Sequence, residues 1–208
     1  MLRICLILLL TACSSDPSPD PPSETVVSVD PSTPPLPAPE SVPFAVAGLA
    51  NGEYAADIVL TDHVSGTPFS LSQHLGPSRT LPTRAAIVSF SASWCGPCKA
   101  SLPQLAELKS QHGDDLLVLI VSIDETEAGL QSEVRAVQAA GLDAPVVHAP
   151  EPMQKAWLGD TRNIPHLFIL NQIGEVLVQD RGYGDNVRGI LPRQVGAALD
   201  HPEYVERN

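Results

Sequence analysis

The stretch of sequence that decides the fold is AAIVSFSASWCGPCK, residues 85–99. It opens on a near-continuous apolar run, which is typical of a strand buried on both faces of a sheet. It ends with Cys95 and Cys98, separated by two residues, where a helix is predicted to begin. Residues 85–99 therefore predict a strand–turn–helix unit that carries a dithiol at its turn.

The dithiol is the leading candidate for chemistry in this chain. The free N–H groups and the positive dipole end of a helix N-terminus stabilise a thiolate, so Cys95 is predicted to be a nucleophile near neutral pH. Gly96 and Pro97 allow a tight entry into the helix, because proline fits its first turn. Cys98 lies one turn further in, where it can attack a mixed disulfide formed at Cys95. This spacing predicts thiol–disulfide exchange.

The N-terminus is typical of an export signal. Residues 1–12 combine one arginine with an apolar run that is too short to span a bilayer but suits a signal peptide. Residues 10–13, Leu-Thr-Ala-Cys, resemble the bacterial lipobox, in which the cysteine is acylated and becomes the first mature residue. We therefore expect lipidation at Cys13 and a protein anchored in the cell envelope facing the periplasm. Ser14 after the lipobox cysteine favours the outer membrane. An ordinary secretory signal cut near Ala12 is the alternative.

Residues 13–51 are predicted to be a disordered tether that follows the acylated cysteine. Residues 14–43 contain ten Pro and seven Ser, five acidic residues and no Lys or Arg. No apolar periodicity is visible there, so this stretch cannot bury a core. A proline-rich docking motif is the alternative interpretation.

A single α/β domain is predicted over residues 52–208. Its predicted strands and helices alternate, which favours a mixed central β-sheet flanked by helices on both faces. A short turn joins the last two strands, so these must be antiparallel. The predicted elements are a hairpin at 57–60 and 67–71, strands at 86–91, 116–123, 145–148, 166–170 and 176–178, and helices at 98–112, 126–140, 152–158 and 187–199.

Charge and ligand spacing exclude other classes of function. The formal net charge of −12 argues against nucleic acid, which needs a basic surface. Zinc usually requires four ligands, and the six histidines are scattered without the usual spacing. We expect no metal and no cofactor besides the Cys95–Cys98 disulfide. An inert structural disulfide remains an alternative, although closing so short a loop removes little chain entropy.

The motif from Trp94 to Lys99 resembles the active site of the thioredoxin fold. Ile164-Pro165 before a predicted strand resembles the cis-proline of that fold, and residues 57–71 resemble the N-terminal hairpin of the TlpA/ResA branch. The branch comprises membrane-tethered thiol–disulfide reductases of the cell envelope. The resemblance covers residues 52–200, so we expect a thioredoxin-like fold with an N-terminal β-hairpin extension.

The resemblance also implies roles for individual residues and partners. Cys95 would attack the client disulfide and Cys98 would resolve the mixed disulfide. Protein thiol or disulfide clients and a membrane electron donor of the DsbD/CcdA type would be the partners. The residues implied to contact the client are Trp94, Gly96, Pro97, Ile164 and Pro165.

Two departures from the family pattern concern buried acids. Thioredoxins have an aspartate at the position of Ser89, and the TlpA/ResA branch often has a glutamate at the position of Ser101. Asp124 or Glu125 is a candidate substitute for proton transfer, but both are expected to be solvated turn residues. His166 is expected either to lie near Cys95 and tune it electrostatically or to be an exposed residue at a strand end.

Several functions remain open from the sequence alone. The leading hypothesis is an envelope reductase of protein disulfides, with cytochrome c maturation or disulfide repair as its process. A dithiol oxidase and a thioredoxin-like binding module without turnover are the alternatives. A thiol peroxidase of the peroxiredoxin type is disfavoured, because residues 92–95, Ala-Ser-Trp-Cys, lack the threonine of that site.

Overall fold

The computed structural model describes residues 48–200. The strands are β1 Val59–Thr61, β2 Pro68–Ser70, β3 Ala85–Ser91, β4 Leu116–Ser122, β5 Val146–His148, β6 His166–Asn171 and β7 Val176–Arg181. The helices are α1 Gly96–His112, α2 Glu127–Ala139, α3 Glu151–Leu158 and α4 Asp185–Asp200. The predicted signal peptide, Cys13 and most of the predicted tether lie outside the described residues. Among residues 48–200, the helices are all too short or too polar to cross a bilayer.

The main sheet has five strands in the order β5-β4-β3-β6-β7. β3 and β4 are parallel, as are β4 and β5, whereas β6 runs antiparallel to both β3 and β7. The predicted mixed sheet and its antiparallel last pair are confirmed. β3 lies at the centre, so residues that follow it are held at the middle of one sheet edge.

Helices cover both faces of this sheet, as the sequence predicts. α1, α2 and α4 bury apolar residues such as Leu105, Val134 and Val195 on one face. α3 and the β1–β2 hairpin bury Trp157 and Phe69 on the other. β3 and β4 are buried at every position because both of their faces are covered.

The hairpin is fastened to the edge of the sheet through Asp62. Its carboxylate accepts the N–H of Val64 and the N–H of Val146 in β5, both at 2.9 Å, and the hydroxyl of Ser65 at 2.6 Å. Burial acts to raise the pKa of Asp62, but these hydrogen bonds outweigh it and lower the pKa below its ordinary value. The ionised carboxylate is therefore the form that stabilises this junction.

Each predicted element is observed, with at least one bound shifted by one to three residues. α4 begins two residues earlier than predicted, at Asp185, and it continues through Pro192 because Leu191 and Val195, fully buried beside the proline, hold both halves on the sheet. α1 begins two residues earlier than predicted, at Gly96. Contacts of the domain begin before residue 52, since Leu49 N–H donates to the carbonyl of Trp157 at 3.1 Å.

Candidate active site

The two cysteines form a disulfide at the N-terminus of α1. Cys95 is the N-cap residue, and its Sγ accepts the backbone N–H of Cys98 at 3.2 Å. An N-cap side chain satisfies one of the free N–H groups of a helix, and here a sulfur fills that role. Both residues are buried, Cys95 at 5% exposure and Cys98 at 1%. The edge of Cys95 is thus the part of the disulfide that is more open to a partner.

Pro165, which was predicted to be a cis-proline, lies at the same end of the sheet as the disulfide. The Ile164–Pro165 peptide bond is cis, and it immediately precedes β6. Phe90 near the end of β3 pairs with His166 at the start of β6. This register places residues 164–165 beside the strand end from which the chain continues to Cys95.

The residues predicted to contact a client differ in their exposure. Trp94 is 68% exposed, so its side chain is accessible to a client. Gly96 and Pro97 are also exposed, whereas Ile164 is half-buried and Pro165 is buried. The surface next to the disulfide is therefore made by Trp94, Gly96 and Pro97.

Asp124 corrects one sequence expectation. It was expected to be solvated, but it is only 3% exposed. Its carboxylate accepts the backbone N–H of Ser93 at 2.9 Å, the hydroxyl of Ser93 at 2.7 Å and that of Ser122 at 3.0 Å. The burial arises because the loop before Cys95 folds over the end of β4. Asp124 consequently fixes the backbone two residues before Cys95, whereas Glu125 is exposed as expected.

α2 closes over Asp124 from the other side. A Cβ at Gly129 would lie 2.7 Å from Oδ1 of Asp124, so only glycine allows this approach. Thr126 caps α2 by accepting the N–H of Gly129 at 3.1 Å. The first turn of α2 is therefore shaped around the carboxylate.

Glu133 is a buried acid that the sequence reasoning missed. It is 1% exposed, its Oε1 accepts the hydroxyl of Ser91 at 2.5 Å, and its Oε2 has no hydrogen-bond partner. Burial raises the pKa of Glu133; the Ser91 hydrogen bond opposes this rise, the charge of Asp124 adds to it, and Lys99 opposes it. Ser91 is the last residue of β3, and Lys99 follows Cys98 in the first turn of α1. Because Glu133 interacts with both, it lies between the end of β3 and the start of α1.

A sequence signal for Glu133 does exist. Leu130, Val134 and Val137 form the buried stripe of α2, and position 133 falls within that stripe at helical spacing. A carboxylate in such a stripe is rarely left without a partner or a function. The two serines at the expected acid positions are buried as well, and Ser101 donates its hydroxyl to the carbonyl of Cys98 at 2.7 Å.

His166 is not the exposed strand-end residue that one alternative predicted. It is 1% exposed, stacks on Phe168 at 4.3 Å between ring centroids, and contacts Oε1 of Gln179 through Nε2 at 2.9 Å. Burial lowers the pKa of His166; the Gln179 contact and Asp180 oppose this shift and Arg181 adds to it. Its described contacts tie β6 to β7, so the predicted electrostatic effect on Cys95 stays a prediction.

The fold and the disulfide together define a thioredoxin-fold protein. The thioredoxin family model matches residues 79–139 of the chain. The crystal structure of a candidate DsbE thiol:disulfide interchange protein from Chlorobium tepidum aligns with a TM-score of 0.60 and 25% identity, over 73% of this chain and 99% of that one. The thioredoxin-like fold predicted from the sequence is confirmed.

Curated relatives support the same class over shorter stretches. The thioredoxin-like protein YneN of Bacillus subtilis is 29% identical over 134 residues, 64% of this chain and 71% of that protein. The sporulation thiol-disulfide oxidoreductase A of Bacillus subtilis is 30% identical over 105 residues, 49% of this chain and 62% of that protein. For four curated thioredoxin relatives, the matched stretch spans 28% to 61% of their length.

Proposed function

We propose that this chain is a thiol–disulfide oxidoreductase that reduces protein disulfides in the bacterial cell envelope. The observation that carries the proposal is the Cys95–Cys98 disulfide at the N-terminus of α1, with Cys95 Sγ accepting the Cys98 N–H. A hydrogen bond to a sulfur favours its thiolate form, which is the attacking species in disulfide exchange. The similarity to thiol:disulfide interchange proteins supports the same chemistry.

The reaction balances as two successive sulfur exchanges. The Cys95 thiolate attacks one sulfur of the client disulfide, forms a mixed disulfide and releases the first client thiolate. Cys98 loses its proton and attacks Cys95 Sγ, which closes the Cys95–Cys98 bond and releases the second client thiolate. The client gains two electrons, and a dithiol donor must return two electrons to the enzyme.

The surroundings of the disulfide favour this sequence of events. Trp94 and Gly96 offer exposed surface to a client. We propose that the backbone of Ile164, before the cis-proline, pairs with an extended client segment. Asp124 holds Ser93, so the approach to Cys95 is preorganised.

Location and partners extend this proposal. The lipobox at residues 10–13 and the Pro/Ser-rich stretch support a lipid-anchored protein that reaches into the periplasm from the outer membrane. In that oxidising compartment a reductase requires a membrane electron donor, of the DsbD/CcdA type. Mass spectrometry of the mature N-terminus is expected to show an acylated Cys13, and an unmodified N-terminus would exclude the lipid anchor.

The reductase direction is tested by the equilibrium potential of the dithiol. The protein is equilibrated with thiol buffers, alkylated and measured by mass. The reduction potential of the Cys95–Cys98 pair is expected to be about −270 mV, as for reducing members of the class. A value near about −120 mV would instead assign the chain to the oxidases. Absence of insulin reduction by the wild type, with an intact dithiol, would favour the binding module.

Client identity is accessible by trapping. The Cys98→Ser variant lacks the resolving thiol, so it is expected to stay covalently joined to clients through Cys95 in the native host. Apocytochrome c among the trapped proteins would assign cytochrome maturation, and a broad set of secreted proteins would assign disulfide repair. The Cys95→Ser/Cys98→Ser double variant is the control, which should trap nothing.

A further inference from the structure

A groove runs from Trp94 across the ends of β4 and β5. It consists of two cavities of about 500 and 450 Å³ that share Ile123, Asp124, Glu125 and Arg162. We call this surface the side groove. The first cavity is also lined by Ser93, Trp94, Thr126 and Gly129, and the second by His148, Ala149, Pro150, Glu151 and Gln154.

The side groove begins beside the nucleophile. Trp94, which lines the first cavity, is the neighbour of Cys95 in the chain. β6 and its preceding cis-proline lie on one side of β3, whereas β4 and β5 lie on the other. A client segment that leaves Cys95 on the β4 side therefore enters the side groove.

Hydrogen-bond acceptors and negative charge dominate the lining. Glu125 and Glu151 are exposed carboxylates, and the buried carboxylate of Asp124 adds a third negative charge. Among the described residues that line the two cavities, Arg162 is the one Lys or Arg, and it pairs with Glu151 at 3.0 Å. Both side chains of this pair are more than half exposed, at 54% and 79%, and exposed ion pairs are weak and easily exchanged.

A separate observation concerns an unpaired acceptor on Gln154, a residue that lines the groove. Gln154 is 8% exposed and lines the second cavity, where its Nε2 donates to the carbonyl of Ala149 at 2.9 Å. Its Oε1 is buried and has no hydrogen-bond partner. A buried acceptor without a donor is costly, so a ligand that brings N–H groups would be favoured there.

We propose that the side groove binds a lysine or arginine side chain of the client, a few residues from the client cysteine that Cys95 attacks. The cationic head group supplies N–H donors to Oε1 of Gln154 and to the carboxylate of Glu125, and it exchanges with Arg162 at the carboxylate of Glu151. Because the charges are complementary, the side groove would determine which client disulfides are reduced fastest. This proposal rests on the proposed function, because it concerns the same reaction centre.

The test uses three peptides that differ only in charge. Each is a disulfide-linked homodimer of a short peptide with a central cysteine, flanked on both sides by Lys, by Gln or by Glu. With dithiothreitol as reductant at low ionic strength, kcat/KM for the Lys peptide should exceed that for the Gln peptide about fivefold. The Glu peptide should be slowest, and raised salt should compress all three values.

A matched pair of double variants locates the preference. Glu125→Gln/Glu151→Gln should reduce the ratio of kcat/KM for the Lys peptide to that for the Gln peptide to less than about twofold. The control Glu107→Gln/Asp114→Asn removes two exposed carboxylates from α1 and from the turn before β4, so it changes net charge equally and should retain the preference. Equal rates for all peptides in the wild type, or equal loss of preference in both double variants, would overturn the proposal.

Failure of the reaction and failure of the groove remain distinguishable. A redox-inert Lys peptide, with serine in place of cysteine, should bind the wild type more tightly than its Glu counterpart, as followed by tryptophan fluorescence. If the wild type reduces no peptide, the proposed function fails. The binding constants of the redox-inert Lys and Glu peptides still test whether the side groove prefers a cation. Indistinguishable binding of the Lys and Glu peptides would overturn the groove proposal, even where reduction is fast.

Discussion

The two ends of the β3–β4 strand pair are equally buried but differ in chemistry. The first four positions of each strand are apolar and pair as Ala85–Val88 with Leu116–Leu119. At the other end, Ser91 pairs with Ser122, and both hydroxyls donate to buried carboxylates, those of Glu133 and Asp124. The first end stabilises the fold through buried apolar side chains. The second end, from which β3 continues towards Cys95, contains buried polar groups instead.

This difference separates the part of the molecule that holds the fold from the part that performs chemistry. Buried polar groups cost free energy unless they are hydrogen-bonded, and one carboxylate oxygen of Glu133 is not. Such groups persist where they position or tune a site. Substitutions at the polar end should therefore change chemistry most, whereas substitutions at the apolar end should change stability.

The largest expected effect is at the polar end, on the disulfide itself. Cys95→Ser removes the attacking sulfur, so insulin reduction should fall by at least about 10³-fold. Circular dichroism and thermal melting should show a folded protein, because a short-loop disulfide adds little stability. Retained activity in this variant would exclude Cys95 as the nucleophile.

At the apolar end, Leu119→Ala should act on stability alone. Leu119 is fully buried, so loss of its side chain should lower the free energy of unfolding by about 3 kcal/mol. Urea denaturation measures this change. Below the transition, the rate of insulin reduction should equal that of the wild type, and a large loss of activity in the folded variant would contradict the division between the two ends.

Asp124→Ala should affect both properties, because Asp124 joins the polar end to the loop before Cys95. Loss of its bonds leaves the N–H of Ser93 without its partner and should cost about 2 kcal/mol. The looser loop should lower kcat more than it raises KM, as steady-state kinetics would show. Asp124→Asn keeps an acceptor oxygen and should restore part of kcat. Equal activity in all three proteins would refute the positioning role.

Glu133→Gln should change the pH dependence of stability. The pKa of Glu133 is raised in the folded state, so the folded protein binds this proton more tightly than the unfolded chain. The wild type should lose stability relative to the variant as pH rises above the ordinary value of 4.5 towards the folded pKa. Urea unfolding between pH 4 and 8 measures the difference, and a difference that does not vary with pH would contradict the raised pKa.

Asp62 provides a comparison of opposite sign and smaller consequence. Its pKa is lowered in the folded state, so its contribution to stability is present above the ordinary value of 3.8 and is lost as pH falls through the folded pKa. Asp62→Asn should therefore lower stability at neutral pH and approach the wild type in acid. Insulin reduction should stay unchanged, because Asp62 binds the hairpin to β5.

The fold was predictable because its strongest signals are local. The apolar runs of β3 and β4 follow from burial on both faces, and the dithiol with its helix follows from residues adjacent in sequence. The antiparallel pairing of β6 and β7 follows from the short turn between them. Each of these features requires only a few neighbouring residues, so periodicity and turn length suffice.

The buried acids were harder to predict because their burial depends on distant parts of the chain. Asp124 is covered only when the loop before Cys95 folds over β4, thirty-one residues away in sequence. Glu133 meets Ser91 only after α2 packs on the sheet, forty-two residues away. The cis state of the bond before Pro165 likewise depends on tertiary contacts, which the sequence does not display.

The central claim is that Cys95 and Cys98 cycle between a disulfide and a dithiol. The most direct measurement equilibrates the wild type in a series of oxidised and reduced dithiothreitol buffers and counts alkylated thiols by mass. We expect one reversible transition in which both thiols appear together, as a two-electron couple requires. Thiols that appear one at a time, or a bond that stays closed in excess reductant while the protein is folded, would contradict the claim.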